Sequence, residues 1–68
     1  MKEIIYNYLK RFKLVEISFS DYTILSIGDD SYIQWEIIDN FIDCVIDGDN
    51  IAYNLQYVVK IEGYGEKI

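Results

Sequence analysis

Asp47, Asp49 and Asn50 put three oxygen-bearing side chains within four consecutive positions, as the start of a calcium-binding loop does. Such a loop continues with more oxygen ligands and a distal glutamate, which Ile51, Ala52 and Tyr53 do not supply. The pattern therefore reads as a turn, with Gly48 at its centre. Cys44 is the one thiol, and the chain has no histidine to activate it. Set between Asp43 and Val45, it reads as a small core residue rather than a nucleophile. A lone cysteine without histidine allows neither an intramolecular disulfide nor a soft-metal site, and it suits a reducing compartment. Gly28, Gly48, Gly63 and Gly65 are scattered and form no phosphate-cradling motif. No acid, base and nucleophile fall into a set, so the expectation is a non-enzyme without cofactor or metal.

Binding chemistry is better represented. Seven tyrosines, three phenylalanines and Trp35 could stack nucleic-acid bases, anchor a protein interface or pack a small core. Charge discriminates among these. Residues 1–13 carry Lys2, Lys10, Arg11 and Lys13 against Glu3, a net +3, whereas residues 14–68 carry Lys60 and Lys67 against eleven carboxylates, a net −9. The body repels phosphate and suits a basic protein surface, and only the N-terminal segment attracts nucleic acid. Interface or core is thus the favoured use of the aromatic residues, with Trp35 packed beside Ile33 and Ile37.

At 51% hydrophobic and 26% charged residues the chain is too apolar for disorder, and 68 residues make one domain. A domain this small has a marginal core, which makes oligomerisation an expectation. The N-terminus lacks the apolar run of a signal peptide, and no apolar stretch approaches roughly 18 residues, so a soluble, cytoplasmic protein with no membrane role is expected.

Ile4, Ile5, Tyr8, Leu9 and Phe12 recur at helical spacing, which predicts a helix over 1–13. Val15, Ile17 and Phe19 alternate with Glu16, Ser18 and Ser20, the mark of a strand with one wet face. Asp21 and Tyr22 predict a tight turn into a second strand, which ends at the polar run Gly28–Ser31. Ile51, Ala52 and Tyr53 form a short strand, and Tyr57, Val59 and Ile61 share a face of the last one. Residues 63–68 read as a flexible tail.

Residues 32–47 admit two readings. As a helix, Glu36, Asp39, Asn40, Asp43 and Asp47 fall in one polar arc of roughly 100°, opposite Ile37, Ile38, Phe41, Ile42, Val45 and Ile46, and Ser31 could cap it. That gives an α+β domain of order αββαββ. As strands, Ile33, Trp35 and Ile37 share one face and Ile42, Cys44 and Ile46 another, with Asp39-Asn40 at the break and a bulge or bend to change phase.

The order of these segments resembles that of the bacterial Sm-like RNA chaperone family, Hfq, over roughly residues 4–62. Asn7, Leu9, Lys10 and Arg11 follow the family's N-x-L and two basic residues at the end of its first helix. Ile38-Asp39-Asn40-Phe41 resembles its aromatic-D-N/Q-F segment, and Gln34 and Cys44-Val45-Ile46 are in keeping with it. Tyr53-Asn54-Leu55 stands where the family has Y-K-H. A bulky residue near Ile33 replaces the family's strand glycine, and about five extra residues lie around Gly28–Tyr32. The resemblance implies a mainly β fold, a small Sm-like or SH3-like bent barrel over 14–62 behind the N-terminal helix. It also implies a homo-oligomer, with a cyclic hexamer as its form, closed through the last strand and the strand beginning near Phe41. An RNA rim would comprise Asn7, Lys10 and Arg11, and a pore or ligand contact Asn40, Phe41, Tyr53, Asn54 and Leu55. Asn54 and Leu55 in place of Lys and His remove a cationic contact and a stacking ring from that pore.

Together these features give the expected function: a non-catalytic, oligomeric Sm-like module whose acidic exterior meets a basic protein surface. Its alternatives are a divergent RNA-binding ring that uses the basic helix, or a small acidic inhibitor that mimics nucleic acid.

Overall fold

The computed structural model describes residues 1–68. Helix α1 (Lys2–Arg11) leads into β1 (Phe12–Phe19), β2 (Ile24–Ile27), β3 (Gln34–Ile38), β4 (Phe41–Ile46) and β5 (Asp49–Asn54), then a 3-10 turn, Leu55–Tyr57, and β6 (Val58–Glu66). Strands hold 56% of the residues, so the fold is mainly β. They form two antiparallel sheets, β2-β1-β6 and β3-β4-β5. The ten-residue α1 is the one α-helix, and no helix is long and apolar enough to cross a membrane.

β1 behaves as its alternation demands: Val15, Ile17 and Phe19 are buried, while Glu16 and Ser18 face outward. Leu25 and Ile27 on β2 sit opposite Ile17 and Val15 and are buried with them. Ile42 and Cys44 of β4, Ile5 of α1 and Leu55 complete the core, which is therefore shared by both sheets and the helix. The helix is shorter than the pattern suggests. Phe12 already has extended backbone and opens β1, and Ile4 is half-exposed because the buried stripe is narrow, centred on Ile5 with Tyr8 and Leu9 beside it.

Residues 34–46 form a hairpin, not a helix. Ile38 pairs with Phe41 across the two-residue loop Asp39-Asn40, and Asp39 takes the positive φ (52°) that such loops require and Asp tolerates. No bulge is needed for the change of phase. A two-residue loop pairs odd positions with even ones, so Trp35 meets Cys44 and Ile37 meets Ile42 on a single inward face. Ser31 caps no helix. Its hydroxyl donates to the Ser26 carbonyl (2.7 Å) and accepts from the Ile33 N–H (3.2 Å), which shapes the connection carrying the chain from one sheet to the other. Gly28 begins that connection at φ +122°, where a Cβ would lie 2.7 Å from the Lys13 carbonyl oxygen.

Three further corrections concern the C-terminal half. A register shift opposite Ser18 and Phe19 puts a bulge in β6, so Val58 and Ile61 pack on the core while Val59 is exposed. The strand beginning at Phe41 is central, because the Asp47-Gly48 turn folds β5 back onto it, and the open edges at the chain's C-terminal side are β5 and β6. Residues 63–68 are no loose tail. β6 continues to Glu66, the Lys67 N–H donates to the Arg11 carbonyl (2.7 Å), and Lys67 Nζ donates to the Leu9 carbonyl (2.8 Å) while pairing with Asp29 (3.0 Å). The carbonyls that α1 leaves unpaired at its end recruit these donors.

The Phe12 ring lies where a Gly63 side chain would be. Gly63→Ala should destabilise the fold by roughly 1–3 kcal/mol through displacement of that ring. Urea unfolding measures this, and an unchanged midpoint would contradict the packing described.

Candidate functional site

Cys44 is fully buried, and burial, with the Asp43 charge adding, pushes its thiol from 9.0 up to about 11. It is an inert core residue in this setting. No three His, Cys, Asp or Glu side chains converge to hold a metal ion. Asp47 and Gly48 form the β4–β5 turn, Asp49 and Asn50 belong to β5, and the Asn50 amide donates to the Asp43 carboxylate.

The five residues expected at a pore do gather at one end of the second sheet, with divided roles. Asn40 Nδ2 donates to Asn54 Oδ1 (3.3 Å), the Gln56 N–H donates to the same oxygen (2.9 Å), and the Leu55 N–H donates to the Asn40 carbonyl (2.9 Å). Asn54 thus caps the 3-10 turn and ties the β3–β4 loop to it. Leu55 is 1% exposed, with its side chain in the core, so the expected ligand contact is not available to it. Phe41 faces solvent beside Ile38, its partner across the hairpin.

Tyr53 is different. Its ring stacks on Phe19 (centroids 5.1 Å apart, planes at 23°) and walls an open cleft of about 410 Å³. Ala52 of β5, Ser20 and Asp21 from the β1–β2 turn and Asn54 and Tyr57 from the β5–β6 corner complete it. The two walls are joined where the Ser20 N–H donates to the Tyr57 carbonyl (2.8 Å). Asp21 Oδ1 accepts from the Thr23 N–H (3.1 Å), and hydrogen bonds from Thr23 hold its carboxyl below the usual range. Burial, then the neighbouring Cys44 and Asp21, raise the Tyr53 hydroxyl, which stays neutral. Next to the cleft Tyr22 is 96% exposed at φ 70°, a left-handed conformation that costs a bulky side chain roughly 1–2 kcal/mol. Of this site the family resemblance singled out Tyr53 and Asn54. Phe19, Asp21 and Tyr57 read only as strand and turn residues, because the turn and the corner meet through tertiary packing.

Asn7, Lys10 and Arg11 are all exposed on α1. The Arg11 guanidinium lies over the Phe12 ring (5.0 Å) and near Tyr8 (5.9 Å). α1 joins β1 at Phe12 and the cleft lies at Phe19, so this rim and the cleft are about 23 Å apart along the strand. No protein-family model, no curated protein and no solved structure matches this chain.

Asn54→Ala removes the acceptor for two donors and should cost about 1–2 kcal/mol in urea unfolding, whereas a residue held only for a ligand would cost nothing. Because the folded state holds the Cys44 proton more tightly than the unfolded chain, its contribution to stability is full below pH 9 and falls as pH rises toward about 11. A Cys44→Ala variant should show a shallower alkaline loss than the parent protein.

Proposed function

We propose that this chain is a non-catalytic, Sm-like β module that assembles with copies of itself and binds a basic partner protein through its acidic exterior. The observation that carries this reading is where the carboxylates sit. None of the eleven beyond residue 13 is buried, and only Asp29 and Glu62 are paired with lysines. Two pairs of like charges stand directly opposite one another on adjacent strands, Glu16 with Glu62 and Glu36 with Asp43. Such pairs repel and weaken a sheet, and a basic surface laid over them relieves the repulsion. The open edges of β5 and β6 and a core of nine buried residues favour self-association, which covers edges and adds buried area. A small inhibitor that presents carboxylates in place of nucleic-acid phosphates is a special case of the same chemistry.

A second reading, a divergent Sm-like RNA-binding ring, draws support from the exposed trio Asn7, Lys10 and Arg11 on the one basic segment. It requires an RNA affinity that falls with salt and is lost when Lys10 and Arg11 become alanine.

Replacing Glu16 and Glu36 with glutamine should raise stability by roughly 0.2–1 kcal/mol per site while weakening binding to a lysine-rich protein at low salt. Unfolding and calorimetric titration read the two effects separately. A loss of stability, or binding indifferent to these charges, would count against the acidic-module reading. Light scattering of the intact chain tests self-association, which a monomer at all concentrations would refute.

A further inference from the structure

The cleft between the β1–β2 turn and the β5–β6 corner has two kinds of wall. One is aromatic, with the Tyr53 ring held in place by its stack on Phe19 and Tyr57 left 54% exposed. The other carries the only charged side chain of the lining, Asp21, whose carboxylate is oriented by hydrogen bonds from Thr23 and has no cationic partner. Lys60, which lines the neighbouring cleft with Phe19 and Ser20, is paired with Glu62 at 3.2 Å. Rigid aromatic faces beside an unpaired, oriented carboxylate attract a cation that can both stack and accept a salt bridge. The planar guanidinium meets both demands, stacking on a ring and pairing through its donor fork, as a compact ammonium cannot. The same carboxylate, within a body of net charge −9, repels the phosphates of a nucleic acid whose bases the rings could otherwise stack.

We infer that this cleft binds an arginine side chain of an extended segment of a partner protein, stacked against Tyr53 and Tyr57 and paired with Asp21. The inference rests on reading the chain as a protein-interaction module and names where that module holds its partner. Tyr22, exposed beside the cleft, would lie against the flanking residues of such a segment.

The test is a nuclear magnetic resonance titration of the full chain with an arginine-glycine repeat peptide, its citrulline counterpart and an oligouridine. The arginine peptide should shift the resonances of Asp21, Tyr53 and Tyr57, and citrulline should abolish the effect. Asp21→Asn, which keeps the acceptor for Thr23, and Tyr57→Ala, at an exposed position, should each weaken binding about fivefold or more, and Glu3→Gln, on α1 and outside the acidic body, should change it little. Shifts centred on Glu36 and Asp43, with Asp21→Asn binding like the parent, would overturn the cleft and leave the acidic module standing. Absence of peptide binding at any face would overturn both. Cleft resonances that move with oligouridine and not with the peptide would overturn the inference in favour of RNA.

Discussion

The inward row of β1 ties the helix and both sheets into one core. Val15, Ile17 and Phe19 have β2 on one side and β6 on the other, and they meet Ile5 from the helix and Ile42 and Cys44 from the second sheet in one core. With nine buried residues, the loss of any of these contacts is felt by the whole domain. Phe19 ends the row, and its ring closes the core on one face while supporting Tyr53 on the other. The wall of the cleft is therefore also a wall of the core, which places the proposed binding surface on a constrained part of the molecule.

The polar bonds serve the same economy. Buried side-chain N and O atoms without a partner are absent, and few polar groups serve a single purpose. Asn54 caps the 3-10 turn and anchors Asn40, while Lys67 satisfies the end of the helix and holds Asp29. Of the outer carboxylates, Asp21, Asp29, Asp43 and Glu62 take part in such attachments. Glu16 stands opposite Glu62 and Glu36 opposite Asp43, like-charge pairs whose repulsion weakens the sheets they stand on.

The separation of the two charged regions follows from chain order. All four cations of residues 1–13 lie on or just beyond the helix, and the helix joins β1 at the end remote from the cleft. Arg11 rests on Phe12 and Tyr8, so part of its charge is already engaged with aromatic faces. The basic segment and the acidic, aromatic cleft therefore occupy separate surfaces of the molecule.

Much of the architecture was legible in local pattern. The alternation of Val15, Ile17 and Phe19, the helical spacing of Ile5, Tyr8 and Leu9, and the turn chemistry of Asp21-Tyr22 and Asp47-Gly48 determine their elements directly, because period and turn residues are properties of neighbours along the chain. Residues 34–46 lay at the limit of that logic. Their apolar positions fit a helix as well as a hairpin, and pairing with β5, which no local pattern contains, settled them as strands. The bulge in β6, the ordered segment through Lys67 and the core position of Leu55 were likewise decided by partners distant in sequence. The site divides in the same way. Tyr53 stood out through the family resemblance, but the cleft exists only because the β1–β2 turn and the β5–β6 corner, more than thirty positions apart, are brought together by β1 pairing with β6. The sequence by itself determined which segments are helix, strand and turn wherever one periodicity dominated, and it determined the charge of the body. Tertiary structure alone decided the pairing that placed Asp21 beside Tyr53 and Tyr57, because that proximity is a property of the sheet and not of any stretch of chain.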